Sequence, residues 1–145
     1  MFKLFVTFLC TVALASAVFA QNIYIALPPA NTDVTAGKEI TVQLDRPMTL
    51  SGSEEVAVVI GTSTCPSPTT CRDVAEVLGD ILYNGPFNPV LSDDSWSPYQ
   101  NITITIPSWY RGPVQIGVAH FFLLGAGLNA QLQLTNTTVN AVAPS

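Results

Sequence analysis

The chain has 145 residues, with five Lys plus Arg against ten Asp plus Glu and a formal net charge of −5 at pH 7. Phosphate contacts need clustered cations, so this balance argues against a nucleic-acid partner, and anionic membrane surfaces are disfavoured for the same reason. No internal repeat or linker divides the sequence, and residues 21–145 suffice for one domain that buries roughly two thirds of its unfolded surface.

Residues 1–20 read as a secretory signal peptide. Lys3 supplies the positive start, residues 4–18 are apolar apart from Thr7, Thr11 and Ser16, and Val18 and Ala20 occupy the −3 and −1 positions of a small-residue cleavage site. The run is shorter than the ~20 residues of a spanning helix. Export, cleavage before Gln21 and a soluble extracellular product without membrane insertion are the expectations. Cys10 leaves with this segment, and Cys65 and Cys71 then read as one disulfide. Its small ring contributes roughly 2 kcal/mol at most, enough to staple a loop and too little to hold a fold.

Strand patterns follow in order. Residues 22–27 alternate Ile23, Ile25 and Leu27 with Tyr24 and Ala26, and Pro28-Pro29 stops them. Residues 31–38 are turn chemistry, with Gly37 available for a positive φ. Residues 39–45 place Ile40, Val42 and Leu44 on one face, and residues 54–61 are nearly continuous Val, Ala and Ile, as in a central strand. Residues 62–80 hold the cysteine pair. Within them, 72–78 predict two helical turns, with Thr70 as N-cap and Gly79 at the C-terminus. Residues 81–83 suggest a short edge strand, and 87–98 a second long loop carrying Trp96.

The strongest pattern comes next. Ile102, Ile104 and Ile106 share one parity, Val114, Ile116 and Val118 share another, and Pro107, Gly112 and Pro113 mark a corner between them. This reads as a half-buried antiparallel pair. After a turn at 125–129, residues 131–142 form the last strand; Leu132 and Leu134 have one parity and Val139 the other, which predicts a β-bulge between Thr135 and Thr138. About seven short strands at this spacing predict an all-β, immunoglobulin- or fibronectin-III-like antiparallel β-sandwich with one disulfide-stapled loop. Asn101-Ile-Thr103 and Asn136-Thr-Thr138 are glycosylation acceptors, and Asn101 falls on the solvent parity.

Reactive chemistry finds little support. The sole histidine, His120, shares the parity of Val114, Ile116 and Val118, so it reads as a packed or backbone-bonded core residue. No Gly-x-Ser-x-Gly elbow accompanies it, which leaves no catalytic residue to name. One histidine and a disulfide-bonded cysteine pair give too few nitrogen and sulfur ligands for zinc or copper. Asp93-Asp94, with Glu76 and Asp80 upstream, match no calcium-loop spacing and read as solvated loop charges. The sequence therefore predicts no metal, no cofactor and no enzyme. Trp96, Tyr99, Trp109 and Tyr110 are candidates for a binding surface, either a sugar-stacking platform or a protein hot spot. The competing expectation has Trp109 and Tyr110 capping the core and Trp96 covering a sheet edge, with Tyr110 bonding its hydroxyl to nearby backbone as a tyrosine corner.

The stretches LGDILYNGPFNP, YQNITITIP, VAHFFLLGAG and LTNTTVNAV resemble the Nis1 family of small secreted fungal proteins. The resemblance covers most of residues 21–142. It implies an apoplastic effector that promotes cell death or dampens pattern-triggered immunity through contact with a host receptor kinase or another cell-surface protein. It transfers no site at residue level. The alternative is a secreted carbohydrate- or cell-wall-binding module presenting Trp96, Tyr99 and Trp109 to polysaccharide.

Overall fold

A computed structural model describes residues 22–48 and 52–144. The export segment, the Gln21 cleavage position and Cys10 lie outside the described residues. Among those residues the chain forms eight strands and no helix: β1 Tyr24–Leu27, β2 Asp33–Thr35, β3 Glu39–Asp45, β4 Ser53–Thr64, β5 Asp80–Gly85, β6 Tyr99–Thr105, β7 Gly112–Leu124 and β8 Asn129–Val142. One sheet has the order β1-β3-β6 and the other β2-β8-β7-β4-β5. Lettered as an immunoglobulin domain, β1, β3 and β6 are A, B and E, while β5, β4, β7 and β8 are C′, C, F and G, so the sandwich is immunoglobulin-like in strand order.

The core lies between the sheets and follows the period-two pattern of the strands. Val42 and Leu44 of β3 and Ile102 and Ile104 of β6 supply one side. Val58 and Ile60 of β4, Val114, Ile116 and Val118 of β7, and Val139 and Ala141 of β8 supply the other. Phe87, from the loop after β5, is wholly buried among them.

Four sequence expectations need correction. The two strands flanking the corner do not pair with each other. β6 pairs with β3, and β7 pairs with β4 and β8, so residues 106–111 carry the chain from one sheet to the other. Two strands facing each other across a core show the same alternation as two strands side by side, which is why periodicity could not separate them. Second, residues 33–35 form an eighth strand within the stretch read as a turn. It pairs in parallel with the end of β8, Asp33 to Asn140 through Thr35 to Val142, and three residues are too few to display a period.

Third, residues 72–78 make one turn instead of a helix. The Asp73 carbonyl accepts hydrogen bonds from the amides of Glu76 and Val77, and its side chain accepts one from Ala75, so Asp73 does the capping assigned to Thr70. The turn is tethered by Val74 and Leu78, which lie over Gly61 and Gly117 on the outer face of the five-stranded sheet. Fourth, β8 has no bulge: its ladder with β7 runs unbroken from Gly112 opposite Ala141 to Leu124 opposite Asn129. Leu132 and Leu134 point out of the sandwich instead. The register shift is on β4, where Val56 is the extra residue between Glu55 and Ala57.

The Cys65–Cys71 disulfide forms as expected and closes the first part of the covering loop, just before the turn at 72–78. The fit beneath that loop is tight. A Cβ on Gly61 would stand 2.5 Å from the Leu78 carbonyl oxygen and 2.8 Å from Leu78 Cγ. Gly61→Ala should therefore cost about 1–3 kcal/mol through overpacking, read from urea unfolding, and should speed amide exchange in residues 66–79.

Candidate functional site

The bulge at Val56 inverts the parity of β4 upstream of it and turns Glu55 inward, opposite the buried Phe122. There the carboxylate meets three donors. Arg46 Nε lies 2.8 Å from Oε1, Ser53 Oγ lies 2.7 Å from Oε1, and His120 Nε2 lies 2.5 Å from Oε2. Arg46 also donates to the Pro47 carbonyl and to Ser53 Oγ, and its guanidinium stands 5.8 Å from the centroid of the Phe122 ring. His120 is wholly buried, stacked on Phe122 at 4.8 Å and met edge-on by Phe87 at 5.1 Å. Its Nδ1 has no partner, and its Nε2 is the ring nitrogen that meets the carboxylate.

Burial alone would raise the Glu55 carboxyl. The hydrogen bonds from His120, Ser53 and Arg46, with the Arg46 charge, outweigh it and hold the group at about 2 instead of the ordinary 4.5. The Arg46 and Glu55 charges face each other beside the aromatic rings. The cluster joins the two sheets and opens on one side to a surface pocket of about 280 Å³, lined by Arg46, Ser53 and Glu55 with Pro47, Met48 and Pro98. Sequence reading found His120 and missed its partners. A histidine of inward parity needs a hydrogen-bonding partner, and the Glu54-Glu55 pair entering an apolar strand was the available signal.

The four candidate aromatics divide into two groups. Trp96 is 98% exposed and Tyr99 half-buried at the start of β6, whereas Trp109 is 73% exposed and Tyr110 buried beyond its far end. The seven residues of β6 separate the groups by roughly 20 Å. Trp109 and Tyr110 stack edge to face at 6.3 Å. Tyr110 occupies the position of a tyrosine corner, but its hydroxyl does not return to nearby backbone. It donates to the Thr62 carbonyl at 3.0 Å or to Asp80 Oδ2 at 2.8 Å, tying the corner to β4 and β5. Burial, then the Asp80 carboxylate, push its phenol up.

A different surface comes into view on β8. The Thr138 carbonyl accepts from the Asn31 amide, and the Asn140 amide donates to the Thr32 carbonyl, so both backbone groups point away from β7. By the period of two, the N–H and C=O groups of Ala130, Leu132, Leu134 and Asn136 point the same way. β2 covers only Asn140–Val142, and no strand among the described residues pairs with the rest of this edge. β8 contains no charged residue and no proline, the usual edge protections. Leu132, 67% exposed, lies opposite Phe121 of β7, with Leu134 two residues on, and these exposed side chains make an apolar strip beside the open edge.

The Nis1 family model matches residues 18–140. The chain belongs to the Nis1 family. No curated protein matches it. The match takes in all eight strands but the last two residues of β8, and so includes the open edge of this Nis1 domain together with the buried cluster behind it. Asn101 and Asn136, the two sequon asparagines, are both exposed, on β6 and β8 respectively.

Glu55 links the stability of the Nis1 domain to pH in the acid range. Its folded pKa lies below the unfolded value, so its stabilisation is complete above about pH 4.5 and is lost as pH falls toward 2. Melting temperature measured across that window should fall. Glu55→Gln should flatten the fall while lowering stability at neutral pH by about 3 kcal/mol, because it removes the carboxylate charge that faces the buried Arg46. Tyr110→Phe should cost about 1 kcal/mol through its lost hydrogen bonds, seen in the same melts.

Proposed function

We propose that this Nis1-family chain is an exported, non-enzymatic protein that acts by protein–protein contact at a host cell surface, in the manner of an effector that suppresses immunity or induces cell death. The observation that carries the reading is the open edge of β8. Free backbone donors and acceptors on an uncharged strand, beside the exposed Leu132, Leu134 and Phe121, accept one kind of occupant well: an extended segment of a partner that adds as a further strand. Backbone pairing supplies affinity, and pockets for alternate side chains supply selectivity. The resemblance to secreted effectors points to a receptor kinase or a similar surface protein as the class of partner.

A second reading rests on Trp96. An almost fully exposed indole is unusual enough to support binding of cell-wall polysaccharide, with Tyr99 beside it and Trp109 acting separately. The two readings separate cleanly by mutation. In surface plasmon resonance against a panel of receptor-kinase ectodomains, Leu132→Lys should weaken binding by about tenfold or more, equal to about 1.4 kcal/mol, and Trp96→Ala should leave it unchanged. Absence of binding across the panel, together with chitin or glucan retention lost in Trp96→Ala, would replace the first reading with the second.

A further inference from the structure

We propose that the groove between the disulfide loop and the outer face of the five-stranded sheet seats the first N-acetylglucosamine of a glycan carried on Asn136. The inference rests on export; Asn136 is also the last position of the open stretch of the β8 edge, with its side chain on the outer face of the sheet. The groove holds about 480 Å³ and is lined by Thr69, Arg72 and Asp73 of the loop and by Gln115, Asn136 and Thr138 of the sheet. Its volume lies within the range of small-ligand sites, but its lining is polar where such sites are mostly apolar. Hydroxyls, amides, a carboxylate and a guanidinium form the set of partners that a sugar ring uses.

Two observations point to an occupant. Gln115 is only 4% exposed, and its Oε1 is buried with no hydrogen-bond partner. An unpaired buried acceptor is costly, and a donor arriving in the groove removes that cost. The second is the sequon itself, Asn136-Thr-Thr138, whose asparagine and second threonine both line the groove. The sugar is therefore attached where the unpaired acceptor lies. Its hydroxyls and acetamido N–H are donors for Gln115 Oε1, and its ring oxygen and carbonyl are acceptors for Arg72. Seated there, the sugar would bridge β8 to the loop, which Cys71 already joins to Thr138 of β8 at 3.5 Å from Sγ to Oγ1.

The attachment balances as an ordinary glycosyl transfer. The bond from Asn136 Nδ2 to the anomeric carbon forms as that carbon's bond to the pyrophosphate of a lipid-linked donor breaks. The amide gives up one proton, and the lipid pyrophosphate leaves. Asn101, the other acceptor, lies on the opposite sheet across from Gln43 and serves as the internal control.

The test uses the full chain with its own leader, secreted from a eukaryotic host. Peptide mass spectrometry reads occupancy at Asn101 and Asn136. Three forms are then compared by thermal melting and by amide exchange of residues 66–79: intact glycan, glycan trimmed enzymatically to one sugar, and Asn136→Gln. The intact and one-sugar forms should melt together. Asn136→Gln should melt about 4 °C lower with faster exchange in the loop, and Asn101→Gln should change neither. In a Gln115→Leu background the difference between sugar-bearing and sugarless forms should shrink. Occupancy of Asn101 alone overturns the proposal, as does a sugarless form with unchanged melting and loop exchange. Failure of the chain to be released, with neither asparagine modified, overturns the export reading and the proposal with it.

Discussion

A carboxylate inside a β-sandwich must be answered from every side, and Glu55 is. Arg46 reaches it from the end of β3 in one sheet, while Ser53 and His120 reach it from β4 and β7 in the other. The contact therefore joins the two layers by charge at one end of a core that is otherwise hydrocarbon. Desolvating such a group is costly, and the three donors together meet the cost where any one alone would not. Much of the local architecture follows from this: the bulge at Val56, the inward turn of His120, and the closing of Phe87 and Phe122 around the imidazole.

The sequence made the strands legible because each inner face is read by alternate positions. Ile102, Ile104 and Ile106 are buried as their parity requires, and so are Val114, Ile116 and Val118. The near-continuous apolar run before Thr62 lies centrally, between β5 and β7. What alternation does not encode is which sheet a strand joins, so the β6–β7 corner read as a hairpin. Nor does it encode a bulge inside an apolar run, where Val56 can slip outward unnoticed because its neighbours are apolar as well. The same blindness hid Glu55 and made Leu132 and Leu134 look like core residues in need of a register change.

The site was less legible than the fold. Large aromatics stood out by composition, and two of them are exposed, but a strand of seven residues keeps the pairs apart. The open edge of β8 carries no compositional mark; it is a property of topology, visible only once β2 is seen to cover just three positions. Gln115 is similar. Its outward parity on β7 suggests solvent, and only the loop folded over the sheet buries it.

The loop closed by Cys65 and Cys71 has a consequence for how the molecule can come apart. Its ring spans a sequence separation of 6, and the turn that follows the ring packs Val74 and Leu78 over two glycines, outside the main core. The flap and the interior between the two sheets are thus separate modules. A protease cutting between Cys71 and Gly79 would free this lid and bare Gly61 and Gly117 on β4 and β7, while the two-layer body stayed closed.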